Sequence, residues 1–230
     1  MSDTLLFSPE HDELRAQVRG FVEKELAPYA EEWERQGEFP KSIFSRVGEL
    51  GLFGMKFPEE VGGSGPDFLA DAVITEELVG CHSGGVSASL GAHKDLACLY
   101  LYNFGTSEQH QRWLRPAIEG RSVGGLAVTE PDAGSDVASL KCSAKRDGDD
   151  WIINGSKLFI SNGAWADFVV VAAKTDQVVE GASGARRGDK EKKVVEGASG
   201  ARRGDKEKKA AGHGGLTLFV VEKGMPGFEA

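Results

Sequence analysis

Apolar residues in the first half of the chain recur at helical spacing. Leu14, Val18, Phe21 and Val22 fall on one face behind Ser8-Pro9, a capping residue followed by a proline at the first helical position. Pro40 opens a second such stretch with Ile43, Val47 and Leu50, and Gly51 closes it. Residues 59–66, EEVGGSGP, dissolve any period and read as a loop. Asp67 starts a third helix running to Leu78, and residues 86–103 are apolar enough for a central, buried one. Thr106 with Gln109 three positions on makes a capping box ahead of Trp113, Leu114 and Ile118. These helices predict an all-helical bundle domain over residues 1–120.

Beyond Gly120 the period shortens. Residues 126–129, 140–146, 151–154, 157–161, 168–172 and 216–221 predict strands. Asp147-Gly148 and Asn154-Gly155 stand between them as tight-turn pairs, because both residues of such turns need positive φ. The β-branched runs at 168–172 and 216–221 mark buried strands. The expected fold class is therefore α+β, a helical bundle domain followed by an antiparallel β-sheet or barrel domain over residues 121–230.

One segment interrupts this second domain. VVEGASGARRGDKEKK at 178–193 repeats unchanged at 194–209. Beyond two valines, each copy offers no apolar side chain larger than alanine, which predicts a solvated hairpin extension. A solenoid would need apolar faces to stack. Each copy carries five Lys/Arg against three Asp/Glu, so a basic tether for an acidic partner is the weakest of the functional readings.

The whole chain carries a net charge of -9, which argues against a nucleic-acid binder. No apolar run approaches the ~20 residues of a membrane span, and the opening lacks a secretory layout. Cys81, Cys98 and Cys142 lie far apart without a C-x-x-C pair, a reduced pattern that predicts a cytoplasmic protein. His82, His93 and His110 are too irregularly spaced for a metal site.

The chemistry concentrates in LAVTEPDAGSDVAS, residues 126–139, and KLFISNG, residues 157–163. By composition alone, the first is a strand entering a loop of small and hydroxyl residues. Gly134 permits close approach to the backbone, and free amides with the hydroxyls of Thr129 and Ser135 suit an anion. Neither a Walker-type Gly-Lys-Ser/Thr nor a G-x-G-x-x-G is present.

AVTEPDAGSDVAS, followed by GDDWIINGSKLFISNG, resembles the acyl-CoA dehydrogenase family, and FPEEVGGSG and FGTSEQHQRWLRPAIEG resemble its upstream segments. The similarity covers residues 6–174 and 214–227, and its wording is most similar to the long-chain-type branch. The resemblance implies FAD against a middle β-domain, acyl-CoA as substrate, an electron-transferring flavoprotein as acceptor, and homotetramers in full-length members. It implies that Leu126, Val128 and Thr129 border the isoalloxazine ring, with Ala127 and Ile160 in the same two cofactor-binding segments. Gly134 and Ser135 are expected near the FAD phosphates, Ser135 also facing acyl-CoA. Phe159 stands where many relatives have Trp on the flavin face, and Ser161 where a hydroxyl approaches flavin N5. Without the motif, Phe159 between Leu158 and Ile160 would read as core. Asp132 stands where glycine is common.

The resemblance also implies that the catalytic carboxylate belongs to a C-terminal domain outside this sequence, and that Glu130 orders its loop instead of acting as base. The expectation is an α,β-dehydrogenase chain that is incomplete by itself. The alternative is a non-catalytic fragment that binds flavin or acyl-CoA.

Overall fold

A computed structural model describes residues 6–148, 150–175, 195–196 and 215–230. Helix α1 (Pro9–Phe21) continues through a π-turn (Val22–Leu26) and a short 3₁₀ turn into α2 (Ala30–Gln36). This extension escapes the sequence pattern because Pro28 reads as a break. Here the proline falls inside the 3₁₀ turn that leads into α2. Next come α3 (Ser42–Glu49) and α4 (Phe68–Val79), whose N-cap Asp67 accepts from the Leu69 and Ala70 amides at 2.9 Å. The long apolar stretch forms α5 (Gly84–Gly91), a π-turn (Ala92–Ala97) and α6 (Cys98–Phe104). The capping box at Thr106 and Gln109 forms reciprocally, at 2.9 and 3.2 Å, and starts α7 (Ser107–Gln109), which runs through a π-turn to α8 (Arg115–Ile118). Phe44, Val47, Phe53, Ile74 and Leu90 fill the core these helices share.

The β region contains β1 (Gly124–Ala127), β2 (Ser143–Asp147), β3 (Asp150–Asn154), β4 (Phe168–Thr175), β5 (Val195–Glu196) and β6 (Leu216–Glu222). The sheet is mixed, not antiparallel as expected. β4 pairs parallel with β1 and β2 and antiparallel with β6. A hairpin joins β2 to β3, but Asp147 pairs with Asp150 as the last residue of β2, so the turn starts at Gly148 (φ 61°), one residue later than expected. β4 is apolar from Phe168 to Ala173 because both its faces are covered over that length. Phe168 and Val170 pack on the helices with Leu101, Trp113 and Leu114, while Val169, Val171 and Ala173 meet Phe219 and Trp151 on the other side. Of the duplicated segment only β5 is described, a two-residue strand parallel to β6. The solvated extension expected there otherwise lies outside the described residues.

Polar fasteners tie helices to sheet. Asp167 accepts from Lys41 Nζ and from the Val123 amide, each at 2.7 Å. Glu222 accepts from the Trp113 indole at 2.7 Å and from Arg112 at 3.0 Å. His93 is fully buried; its Nδ1 accepts from the Gly124 amide at 3.0 Å and its Nε2 faces the Ala117 carbonyl at 3.0 Å. That pairing demands the neutral ring with the proton on Nε2. Burial lowers its pKa from 6.5 to about 4, against the two backbone bonds. The unfolded chain then binds the proton first. Stability should be full above pH ~6.5 and fall by on the order of 3 kcal/mol as pH drops towards 4. Chemical denaturation at several pH values should show this slope, and His93→Gln should flatten it.

Candidate functional site

β1 carries the chain to the site. Leu126 lies half-buried opposite Val170, and Ala127 is buried opposite Val171. The strand ends there, so Val128 and Thr129 lie beyond it. Their carbonyls leave the sheet ladder and accept from Lys157 Nζ and the Leu158 amide, each at 2.9 Å. Glu130 follows, 6% exposed, in a turn closed by backbone bonds with Ala133. Its carboxylate accepts from the Lys141 amide (2.6 Å), the Cys142 amide (3.0 Å) and Lys157 Nζ (2.8 Å). Burial opposes the ionised form, but Lys157 and the two amides outweigh it and hold Glu130 below the usual carboxylate range. A carboxylate so engaged is a clamp, not a proton acceptor. The same bonds explain why β2 begins at Ser143 and not at residue 140: the Lys141 and Cys142 amides go to Glu130.

The strand expected at 157–161 does not form. Asn154-Gly155 is not a hairpin turn. Gly155 sits against Cys142, where a Cβ would come within 2.7 Å of its Cα. Lys157 is turned back towards Glu130, and Phe159 (φ 56°) and Asn162 (φ 67°) adopt left-handed backbone that no strand permits. Phe159 is 86% exposed and Leu158 40%, so neither is core. Ile160 packs partly into the sheet's second face. Ser161 is exposed, and its carbonyl lies where a Cβ on Gly125 would come within 3.0 Å. The glycine in β1 therefore lets this loop seat on the strand.

Gly134 and Ser135 are exposed on the loop after the Glu130 turn. A Cβ on Gly134 would meet no atom within 4 Å, so packing does not demand glycine there. Asp132 pairs with Lys141 at 2.6 Å, which holds its carboxyl below the usual range. Direct bonds thus join Val128 and Thr129 to the 157–161 segment, with Leu126 and Ala127 in the supporting strand. Lys157, Gly125 and Asn162 also shape the site, and the sequence reading did not single them out. Only the Asn162-Gly163 pair carried a local signal, for positive φ.

The acyl-CoA dehydrogenase N-terminal domain family matches residues 8–121, and the acyl-CoA dehydrogenase middle domain family matches residues 125–195. The chain belongs to the acyl-CoA dehydrogenase family. It is 38% identical over 223 residues to the mitochondrial long-chain specific acyl-CoA dehydrogenase of Rattus norvegicus, covering 97% of this chain and 44% of that protein. A putative acyl-CoA dehydrogenase from Mycobacterium smegmatis shares its structure at a TM-score of 0.79 and 39% identity, over 98% of this chain and 51% of that one. A glutaryl-CoA dehydrogenase from the same organism, solved in complex with FADH2, matches at a TM-score of 0.79 and 28% identity over 99% and 49%. This acyl-CoA dehydrogenase chain thus spans about half the length of the relatives it matches. No helix of the described residues is long and apolar enough to cross a membrane.

Proposed function

We propose that this chain forms the flavin- and acyl-CoA-facing part of an enzyme that oxidises long-chain fatty acyl-CoA to trans-2-enoyl-CoA. FAD is the cofactor and an electron-transferring flavoprotein the acceptor. One observation carries the reading. Phe159, a large aromatic, is held 86% exposed at φ 56° on a loop bonded to the end of β1. Such backbone costs a non-glycine residue about 1–2 kcal/mol. A fold that needed only a core residue here would bury the ring in extended backbone.

The residues fit a flavin. Leu158 and Phe159 offer exposed apolar side chains, and Thr129 and Ser161, in the two segments that are bonded together, carry hydroxyls that would serve as donors. Gly134 leaves open approach to a loop carrying Ser135, suited to phosphate oxygens. Bound FAD would supply the acceptor for the hydride leaving the acyl chain. The protein's part is to place donors where negative charge grows and to exclude water from that face. Three free, buried thiols suit the reducing cytoplasm, where we place the protein.

Fluorescence titration with FAD tests this. Thr129→Val and Ser161→Ala should each weaken binding by about 0.5–1.5 kcal/mol, the worth of one hydrogen bond. Gly134→Val should weaken it further while leaving the melting temperature unchanged, because the protein itself leaves that space open. Unchanged affinity in all three would remove the cofactor assignment. The non-catalytic alternative also has an observation in its favour: Glu130, the acid inside the motif, is committed to Lys157 and two amides.

A further inference from the structure

Asn162 is 4% exposed and holds left-handed backbone at φ 67°. Its side-chain amide donates to the Ser89 carbonyl near the end of α5 at 3.0 Å and to the Gly124 carbonyl at the start of β1 at 3.2 Å. One side chain therefore ties the 159–162 loop to both the helical domain and the strand beneath the site. Its Oδ1 is buried without a hydrogen-bond partner among the described residues. Rotating the amide to relieve that oxygen would set it against two carbonyls, so the donors dictate the orientation. An uncompensated acceptor and left-handed backbone in one residue are two costs carried together. Such costs persist where the surroundings over-determine a geometry that matters.

We propose that Asn162 is a positioning residue that sets how Phe159 and Ser161 face FAD. This inference rests on the FAD reading above. Ser161 is the adjacent residue, and its carbonyl seats over Gly125, one residue beyond the carbonyl Asn162 holds. With both donors gone, the loop keeps its chain path but loses its registration on β1 and α5. The Ser161 hydroxyl and the Phe159 ring then lose a fixed direction.

The test is FAD affinity and bound-flavin reduction potential in the 230-residue chain, alongside far-UV circular dichroism and melting without FAD. Asn162→Gly keeps the left-handed backbone accessible and deletes both donors. It should weaken FAD binding roughly tenfold, because the loop is no longer held in the binding geometry before the cofactor arrives, and shift the bound-flavin potential while the secondary structure persists. Asn162→Asp provides a second route. Near two carbonyls its carboxyl should protonate more readily than usual and regain one donor at low pH. Its FAD affinity relative to the unsubstituted chain at the same pH should recover as pH falls from 7.5 to 5. If the unsubstituted chain binds FAD while N162G matches its affinity and potential, the inference fails and the cofactor reading stands. The same holds if the N162D ratio is flat with pH. Absence of FAD binding by the unsubstituted chain overturns both.

Discussion

Replacing Glu130 by alanine should destabilise the fold by ~3–5 kcal/mol, the typical cost of removing one partner from a buried ion pair. Glu130 and Lys157 are both largely sequestered, with side chains 5% and 11% exposed. Deletion of the carboxylate would leave the Lys157 ammonium without its counter-ion, held only by the Val128 carbonyl, and the Lys141 and Cys142 amides unpaired. Glu130→Gln should lose less, since its carbonyl can still accept from one amide. Urea denaturation of the three proteins measures the effect. Because the folded-state pKa of Glu130 is depressed, its contribution is present above the ordinary carboxylate range and lost as pH falls below it. The same variants separate clamp from base. A Glu130 that serves only as base would give a Glu130→Gln protein as stable as the unsubstituted one, whereas a clamp gives a graded loss of stability.

The second large effect concerns turnover. The 230 residues, supplied with FAD and a long-chain acyl-CoA, should not bleach the oxidised flavin band at an enzymatic rate. A positioned base contributes ~10²–10⁴-fold, and orientation of the substrate adds more. The acid inside the signature motif is committed to the Lys157 clamp. Co-expression with the C-terminal half of a full-length relative, carrying the carboxylate that the family resemblance places there, should restore bleaching. Substitution of that carboxylate by its amide should restore flavin binding without reduction. Ordinary turnover by the 230 residues alone would show that a residue within them acts as the base.

Much of this architecture is written locally. The capping box at Thr106, the Asp67 cap, the β2–β3 hairpin that turns at Gly148 and the apolar run of β4 each depend on residues within a few positions of one another. Short-range hydrogen bonding and periodic burial suffice for them, so the α+β order and the two signature segments were legible in the chain. Tertiary structure decided the rest. Phe159 alternates with apolar neighbours as a buried strand residue would, yet it stands exposed. Lys157 reaches back 27 residues to Glu130, Asn162 reaches 73 residues to Ser89, and these long-range bonds override the strand pattern of 157–161. The parallel pairing of β1 with β4 is equally invisible locally, because a crossover depends on which faces the helices cover. His93 shows no partner within metal-ligand spacing along the chain, yet it is a fastener between helices and sheet, since its partners lie 24 and 31 residues away. Local sequence specifies elements through backbone propensity. The site arises where buried polar groups must find partners, and those partners are set only once the domains have packed.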